Sequence, residues 1–383
     1  MASTPVLRAP SPAAESPLAR ADGGRRTIAL VGPRTDSHGG VGATVRAIAG
    51  STLNEPFEIV VFPTYRDGGP ADKVWQAIKS LVALSLLLAR RRVDLVHLHS
   101  SSGASFTRKA LALALARLAG CPTVFHVHGG AFKAVLEGRS RRDWLRRHML
   151  HWALEQADTV VALTPGWARE LAASANIRRL RVVPNAPDLA ALPRLGRRPN
   201  GDTRTILFLG HLYREKGIFE LVDAFAELAS ERKDVRLVVA GEGSAAQALR
   251  RHVEAAGVDG LVTLPGWVGP AEKVRLLQHA ACLVLPSYHE GLPLVVLEAM
   301  TAGVPVVASA VGGIPEVARH ELEALLVEPR DVASLRQALE RILDDEELAA
   351  SLVRAARLRA RDFGADALTR RVGSVYEETL AAR

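Results

Sequence analysis

Two runs of alternating strand and helix patterns, separated by one stretch rich in Pro, Gly and Asn, constrain this chain more than any other feature. Apolar strand candidates at 26–32, 57–63, 93–99, 122–129, 159–164 and 180–185 are interleaved with helical patterns at 71–92, 104–119, 140–157 and 165–174. The stretch "PNAPDLAALPRLGRRPNGDT" (184–203) has no apolar period and reads as a linker. The alternation then restarts, with strands at 205–210, 235–241, 262–266, 281–286, 305–309 and 324–329. Strands joined through helices pair in parallel, because each crossover returns the chain to the same end of the sheet. The expectation is an α/β chain of two Rossmann-like parallel-sheet domains facing each other across a cleft. Its parts are a disordered lead (1–25), a first domain (26–185), a linker (186–203), a second domain (204–365) and a final helix (366–383) placed to cross back to the first.

Composition narrows the class. With 48% hydrophobic and 23% charged residues, the chain has the balance of a soluble globular protein. The lead lacks a signal-peptide core, and the longest apolar run, "LVALSLLLA" (81–89), is too short to span a bilayer and ends in Arg90, Arg91 and Arg92. Two cysteines, Cys121 and Cys282, sit in strand-like runs and read as buried thiols of a reducing, cytoplasmic compartment. Residues 1–202 hold 28 Lys and Arg against 15 Asp and Glu, a net of +13; the remainder holds 21 against 26, a net of −5, and the two give the overall +8. A basic first half expects an anionic partner. Nucleic acid is set aside because no groove-reading module is present. The segment 137–158 concentrates Arg139, Arg141, Arg142, Arg146 and Arg147 with Trp144 and Trp152, which suits a helix lying on anionic lipid at the inner membrane face. The bland alternative is a solvated helix whose tryptophans face the core.

Chemistry concentrates at strand ends. In "ILFLGHLYREKGIFELVDAF" a buried strand runs through a glycine into a basic turn, placing Arg214 and Lys216 close to a helix start that favours anions. In "SYHEGLPLVVLEAM" the carboxylates Glu290 and Glu298 interrupt an apolar run, so each needs a partner. Pro286 ends a strand and Pro293 suits the first turn of a helix, so Glu290 falls in the loop and Glu298 inside the helix. Gly291 and Leu292 then offer backbone amides at the helix start. In the first domain, Gly39 and Gly40 of "SHGGVG" let backbone approach phosphates directly. The spacing there is not Gly-x-Gly-x-x-Gly, which argues against a nicotinamide cofactor.

These motifs together resemble the family-4 retaining glycosyltransferases of the GT-B fold, the glycosyltransferases group 1. The resemblance rests on "EGLPLVVLE" with "AMTAGVPVVASAVGGIPE" after it, "EKG" (215–217), "GEG" (241–243), "VVPNAPD" (182–188) and "GGVG" (39–42), and spans roughly residues 27 to 380. It implies a hexosyltransferase-type enzyme that moves sugar from a nucleoside-diphosphate sugar to a hydroxyl of a glycan or lipid-linked acceptor, as in polysaccharide or glycolipid synthesis. The first domain would then be the acceptor side and the second the nucleotide-sugar side. By the same resemblance Lys216 neutralises the leaving diphosphate, with Gly39, Gly40 and Arg214. Glu290, Gly291 and Leu292 hold the donor sugar, Glu298 the ribose, and Val268 beside Trp267 the base. His128 hydrogen-bonds the sugar near the reacting carbon, with His38 a lesser candidate. The family often has arginine where this chain has His211, and Arg214 is expected to supply that charge.

His97 and His99, and His126 and His128, share faces of two strand ends, but no cysteine or acidic ligand stands at zinc spacing, and His97, His99 and His126 read as structural. No Asp-x-Asp motif stands at a strand end, so the expectation is no metal and no cofactor, with lysine, arginine and helix amides carrying the diphosphate. Two other readings stay open: a sugar-nucleotide epimerase on the same fold, and a catalytically silent nucleotide-sugar-binding protein.

Overall fold

A computed structural model describes residues 24–37, 39–66, 69–101, 103–128, 141–187 and 204–382. The lead before residue 24, most of the 186–203 linker, His38 and Arg139 lie outside the described residues, as do the side chains of Arg141 and Arg142.

In the first half, six parallel strands, β1 (Arg26–Pro33), β2 (Phe57–Tyr65), β3 (Leu95–Ser100), β4 (Thr123–Val127), β5 (Thr159–Ala162) and β6 (Leu180–Val182), lie in the order β2-β1-β3-β4-β5-β6. In the second half, β7 (Arg204–Leu209), β8 (Val235–Ala240), β9 (Val262–Gly266), β10 (Ala280–Leu285), β11 (Val306–Ser309) and β12 (Leu325–Val327) lie in the order β12-β11-β10-β7-β8-β9. Every strand pairing is parallel. Each order reverses direction once, between β1 and β3 and between β7 and β10. At such a switch point the crossovers leave to opposite sides and open a crevice beyond the carboxyl ends of the strands.

The central strands are buried along their whole length: β3, β4, β5 and β10 expose no residue. That is why β5 and β10 read as near-continuous apolar runs and not as alternating ones, while β3 and β4 carry His97, His99 and His126 into the interior. Helices α1 (Gly40–Ala49), α2 (Pro70–Ala89), α3 (Ala104–Leu118), α4 (Arg141–Gln156) and α5 (Pro165–Ser174) belong to the first half. Helices α2 to α5 cover one face of its sheet, where Leu84, Leu113, Leu154 and Leu171 pack on Val96, Leu98 and Phe125. In α4 it is Leu150 and Leu154 that face the core, while Trp144 and Trp152 are 54% and 38% exposed. The reading in which those tryptophans face inward is therefore corrected.

The other face is covered by α1 and by the last helix. The second half adds α6 (Ile218–Glu231), α7 (Ala246–Ala255), α8 (Pro270–His279), α9 (Leu294–Ala302), α10 (Ile314–Val317), α11 (Val332–Asp344), α12 (Glu346–Ala360) and α13 (Ala365–Ala381). Helix α13 leaves the second half and buries Leu368, Val372, Val375 and Tyr376 against Ile28, Leu30 and Leu95 of the first sheet. Buried polar bonds fix its register: Tyr376 Oη lies 2.8 Å from His97 Nδ1, and the Thr159 and Thr379 hydroxyls are 2.8 Å apart. Neither cysteine forms a disulfide, and both are buried.

Candidate active site

Between the two halves lies a cleft of about 600 Å3, lined from both sides and placed at both switch points. Three helix N-termini converge on it, those of α1, α8 and α9, through Gly39 and Gly40, Gly269 and Pro270, and Pro293 and Leu294. None carries a side-chain cap: the capping positions are Gly39, Gly269 and Pro293. The first amides of a helix have no intrahelical acceptor and carry a partial positive charge, so three uncapped ends in one cleft form an anion site. At Gly39, with φ 95°, an added Cβ would lie 3.8 Å from His211 Nε2, and one on Gly40 would lie 3.6 Å from Leu294 Cδ1. The glycine loop of the first half thus sits in contact with the second.

Opposite that loop, Lys216 Nζ lies 2.5 Å from Glu290 Oε1, and the Ser287 hydroxyl donates to the same oxygen at 2.8 Å. The two residues are 74 positions apart and are brought together by glycines. Gly217 is left-handed at φ 68°, and a Cβ there would stand 2.0 Å from the Pro286 carbonyl oxygen. Tyr288 N–H donates to the Glu215 carbonyl at 2.8 Å, lacing the two loops. Behind Glu290, Gly312 (φ 55°) would place a Cβ 1.8 Å from the Glu290 carbonyl oxygen, and Gly313 N–H bonds the Gly291 carbonyl at 2.8 Å. The glycine pair of "SAVGGIPE" is therefore the floor on which the Glu290–Gly291 loop rests. Lysine has three donors, so Lys216 can hold Glu290 and still offer a proton to an incoming oxyanion.

Glu298, on α9, is 6% exposed. Its partner is Lys273 of α8, with Nζ 2.5 Å from Oε1. Trp267 and Val268 lie on the same wall of the cleft, and the Trp267 ring is 5.9 Å from that of His211. Asp36, the third carboxylate lining the cleft, is paired to Arg34 at 2.9 Å.

From the first half, His128 reaches the cleft at the end of β4. It belongs to a column of four imidazoles, because β3 and β4 are neighbours and His99 is in register with His126. His99 Nδ1 lies 2.7 Å from His128 Nε2, and the planes of His97 and His126 stack within 2°. Burial, with His128 as neighbour, pushes His97 down to about 3; burial pushes His128 to about 3, against the pull of the Asn185 amide. His99 and His126 are driven well below the usual imidazole range, again chiefly by burial. His128 is therefore a neutral hydrogen-bonding group at ordinary pH, not a cation. Among the described residues, His97, His99 and His126 each hold one ring nitrogen within 4.8 Å of the others.

Of the residues expected at the site, Gly39, Gly40, His128, Lys216, Val268, Glu290, Gly291, Leu292 and Glu298 line this cleft. Arg214 does not. Its guanidinium lies over the Phe219 ring, 5.1 Å from the centroid, in a separate depression with Glu220, Asp223 and His252. In the tight turn Arg214–Lys216 the two cations leave the backbone on different sides, so the charge expected of Arg214 is not delivered to the cleft. His211 itself faces the glycine loop. Lys273 and Asn185 were not singled out from the sequence. Asn185 accepts from the Thr44 hydroxyl at 3.1 Å and donates to the Leu292 carbonyl at 3.3 Å, bridging the two halves. Its motif "VVPNAPD" marked the place, and the orphaned charge on Glu298 was the signal for a lysine.

The family described as "Glycosyl transferases group 1" matches residues 196–359, and "Glycosyl transferase 4-like domain" matches 11–186. The chain is 30% identical over 299 residues to a glycogen synthase of Mycobacterium tuberculosis, covering 76% of this chain and 70% of that protein. It is 30% identical over 382 residues to a D-inositol 3-phosphate glycosyltransferase of Arthrobacter sp., covering 87% and 88%. Among solved structures, sucrose-phosphate synthase from Thermosynechococcus elongatus superposes with a TM-score of 0.77 at 23% identity, over 94% of this chain and 100% of that one. Anabaena HepE, solved with UDP and glucose, superposes with a TM-score of 0.70 at 16% identity, over 92% and 99%. The two six-stranded parallel sheets with their covering helices are the GT-B arrangement.

Proposed function

The chain belongs to the group 1 glycosyltransferases, and from that premise we propose a retaining enzyme that transfers a hexose from a nucleoside-diphosphate sugar to a hydroxyl of a glycan or lipid-linked acceptor, without a bound metal. The observation that carries this reading is the cleft itself: three uncapped helix ends, Lys216 and Lys273 surround a space whose carboxylates are all ion-paired.

In this assignment the diphosphate lies between the α1 end at Gly39 and Gly40 and the Lys216 ammonium. Negative charge develops on the leaving phosphate as the glycosidic bond breaks, and fixed dipoles and an ammonium already in place stabilise it without reorganising. Glu290 and the Gly291 and Leu292 amides take the sugar hydroxyls, Glu298 the ribose, and Val268 with Trp267 the base. Neutral His128 donates or accepts a hydrogen bond near the reacting carbon.

Because Asp36, Glu290 and Glu298 are each held by a cation, none of these three stands free as a general base. That favours attack of the acceptor hydroxyl on the face the phosphate leaves, with a phosphate oxygen taking the acceptor proton. The basic first half and the arginines of α4 favour an acceptor carried by an anionic membrane, on its cytoplasmic inner face. No described helix is long and apolar enough to cross a membrane.

A thermal-shift panel of UDP, GDP, ADP and their sugars tests the donor assignment. A ligand at about 100 times its Kd adds about 2.7 kcal/mol to folded-state stability. A shift is expected for one nucleotide series and lost in Lys216→Ala; no shift with any of them contradicts the reading.

A further inference from the structure

Helix α2 breaks the rule that a surface helix turns its polar side outward. Its inner face is apolar, with Ala77, Leu84 and Leu88 in the core, and its outer face is apolar as well. Val74, Trp75, Ile78, Val82 and Leu86 are 48–60% exposed, and four of them recur every fourth residue along one row. Helices α2, α3 and α4 all pack on the same face of the first sheet, so their outer faces form one layer. Leu111 and Leu118 of α3 and Trp144, Leu145 and Trp152 of α4 are exposed on it too. Three of the chain's five tryptophans therefore stand on this layer. Exposed large apolar side chains gathered on the outer faces of neighbouring helices mark a contact site.

We propose that this layer is a membrane-docking surface, with the outer row of α2 as the element that enters the headgroup region of an anionic bilayer. The charges choose the occupant. The sequences of α2, α3 and α4 hold nine Lys or Arg against three Asp or Glu, and exposed Arg90, Arg91 and Arg92 follow the end of α2. Lys79 lies over the Trp75 ring at 5.0 Å, a cation seated on the aromatic that would sit at the interface. A second copy docking by the same face would set this excess of positive charge against itself. An anionic lipid surface complements it and accepts the apolar row at once. The inference rests on the reading that the basic helix meets a membrane, and moves the apolar anchor from 137–158 to α2.

Sedimentation with vesicles of phosphatidylcholine, alone or with about one third phosphatidylglycerol, tests it on the full chain. Wild type is expected to pellet with the anionic vesicles only. Trp75→Ser/Ile78→Ser/Val82→Ser should weaken binding at least about tenfold while nucleotide-induced thermal shifts are unchanged. Arg146→Gln/Arg147→Gln probes the basic helix separately. Loss in the arginine variant with none in the α2 variant overturns the inference and leaves the membrane reading standing. No vesicle binding by wild type overturns both. A dimer seen in analytical ultracentrifugation and abolished by the α2 variant, with lipid binding unaffected, also overturns the inference and assigns the surface to a second copy.

Discussion

The imidazole column makes the protein acid-labile to a degree that can be worked out. His97, His99, His126 and His128 are neutral in the folded state because burial holds their pKa values far down, to about 3 for His97 and His128. Unfolded, each returns to about 6.5. A depressed folded-state pKa contributes stability that is complete above the unfolded value and is lost as pH falls toward the folded one. Between pH 7 and pH 5, one such imidazole removes about 2 kcal/mol, so His97 and His128 together remove about 4 kcal/mol, and His99 and His126 act in the same direction. Total stability is commonly about 5–15 kcal/mol, so the transition should approach neutral conditions by pH 5. Urea unfolding at pH 8, 7, 6 and 5 reads this directly, and a His97→Asn/His126→Asn variant that still folds should show about half the slope. Stability that is flat from pH 7 to pH 5 would refute the reasoning, since it would mean the column already carries protons when folded.

Four substitutions probe the framework of the site and of the fold around it. Lys273→Met strips Glu298 of its partner and should cost about 1–3 kcal/mol, at the low end because the lysine is 31% exposed, and urea unfolding should show Glu298→Gln restoring part of it. Gly312→Ala drives a Cβ into the Glu290 carbonyl in a left-handed backbone and should cost about 2–4 kcal/mol, with transfer falling more than about tenfold. Gly257→Ala, also left-handed but with nothing within 4 Å of the added carbon, should cost only about 1–2 kcal/mol and leave transfer intact. Tyr376→Phe leaves the buried His97 Nδ1 without its partner, and the melting curve should report a loss of about 1–2 kcal/mol.

The sheets were legible because β5 and β10 are buried on both sides and read as continuous apolar runs, while β3 keeps its apolar character despite the buried His97 and His99. Strand and helix ends moved by up to a few residues: the sixth strand stops at Val182, and the second helix at Ala89. What the sequence hid is pairing at a distance. Lys273 sits 25 residues before Glu298 on another helix, and a lone lysine in the first turn of an amphipathic helix looks like any solvated charge. Arg214 and Lys216 are two residues apart in one basic turn, and only three-dimensional structure separates the side that faces the cleft from the side that faces Phe219. The two His-x-His pairs announced a shared face on each strand, yet their fusion into one column needed the β3–β4 register. The carboxylates that looked misplaced in apolar sequence proved to have protein partners, Lys216 and Lys273, within reach of the same cleft.

The central claim is that sugar transfer occurs between the Gly39–Gly40 helix end and the Lys216–Glu290 pair. It is tested most directly by assaying transfer from the nucleotide sugar that binds, in wild type, Lys216→Ala and Glu290→Ala, with folding checked by circular dichroism. The account predicts a product of retained anomeric configuration from wild type and a fall of at least about a hundredfold in kcat for both folded variants. Full activity in both variants would contradict it.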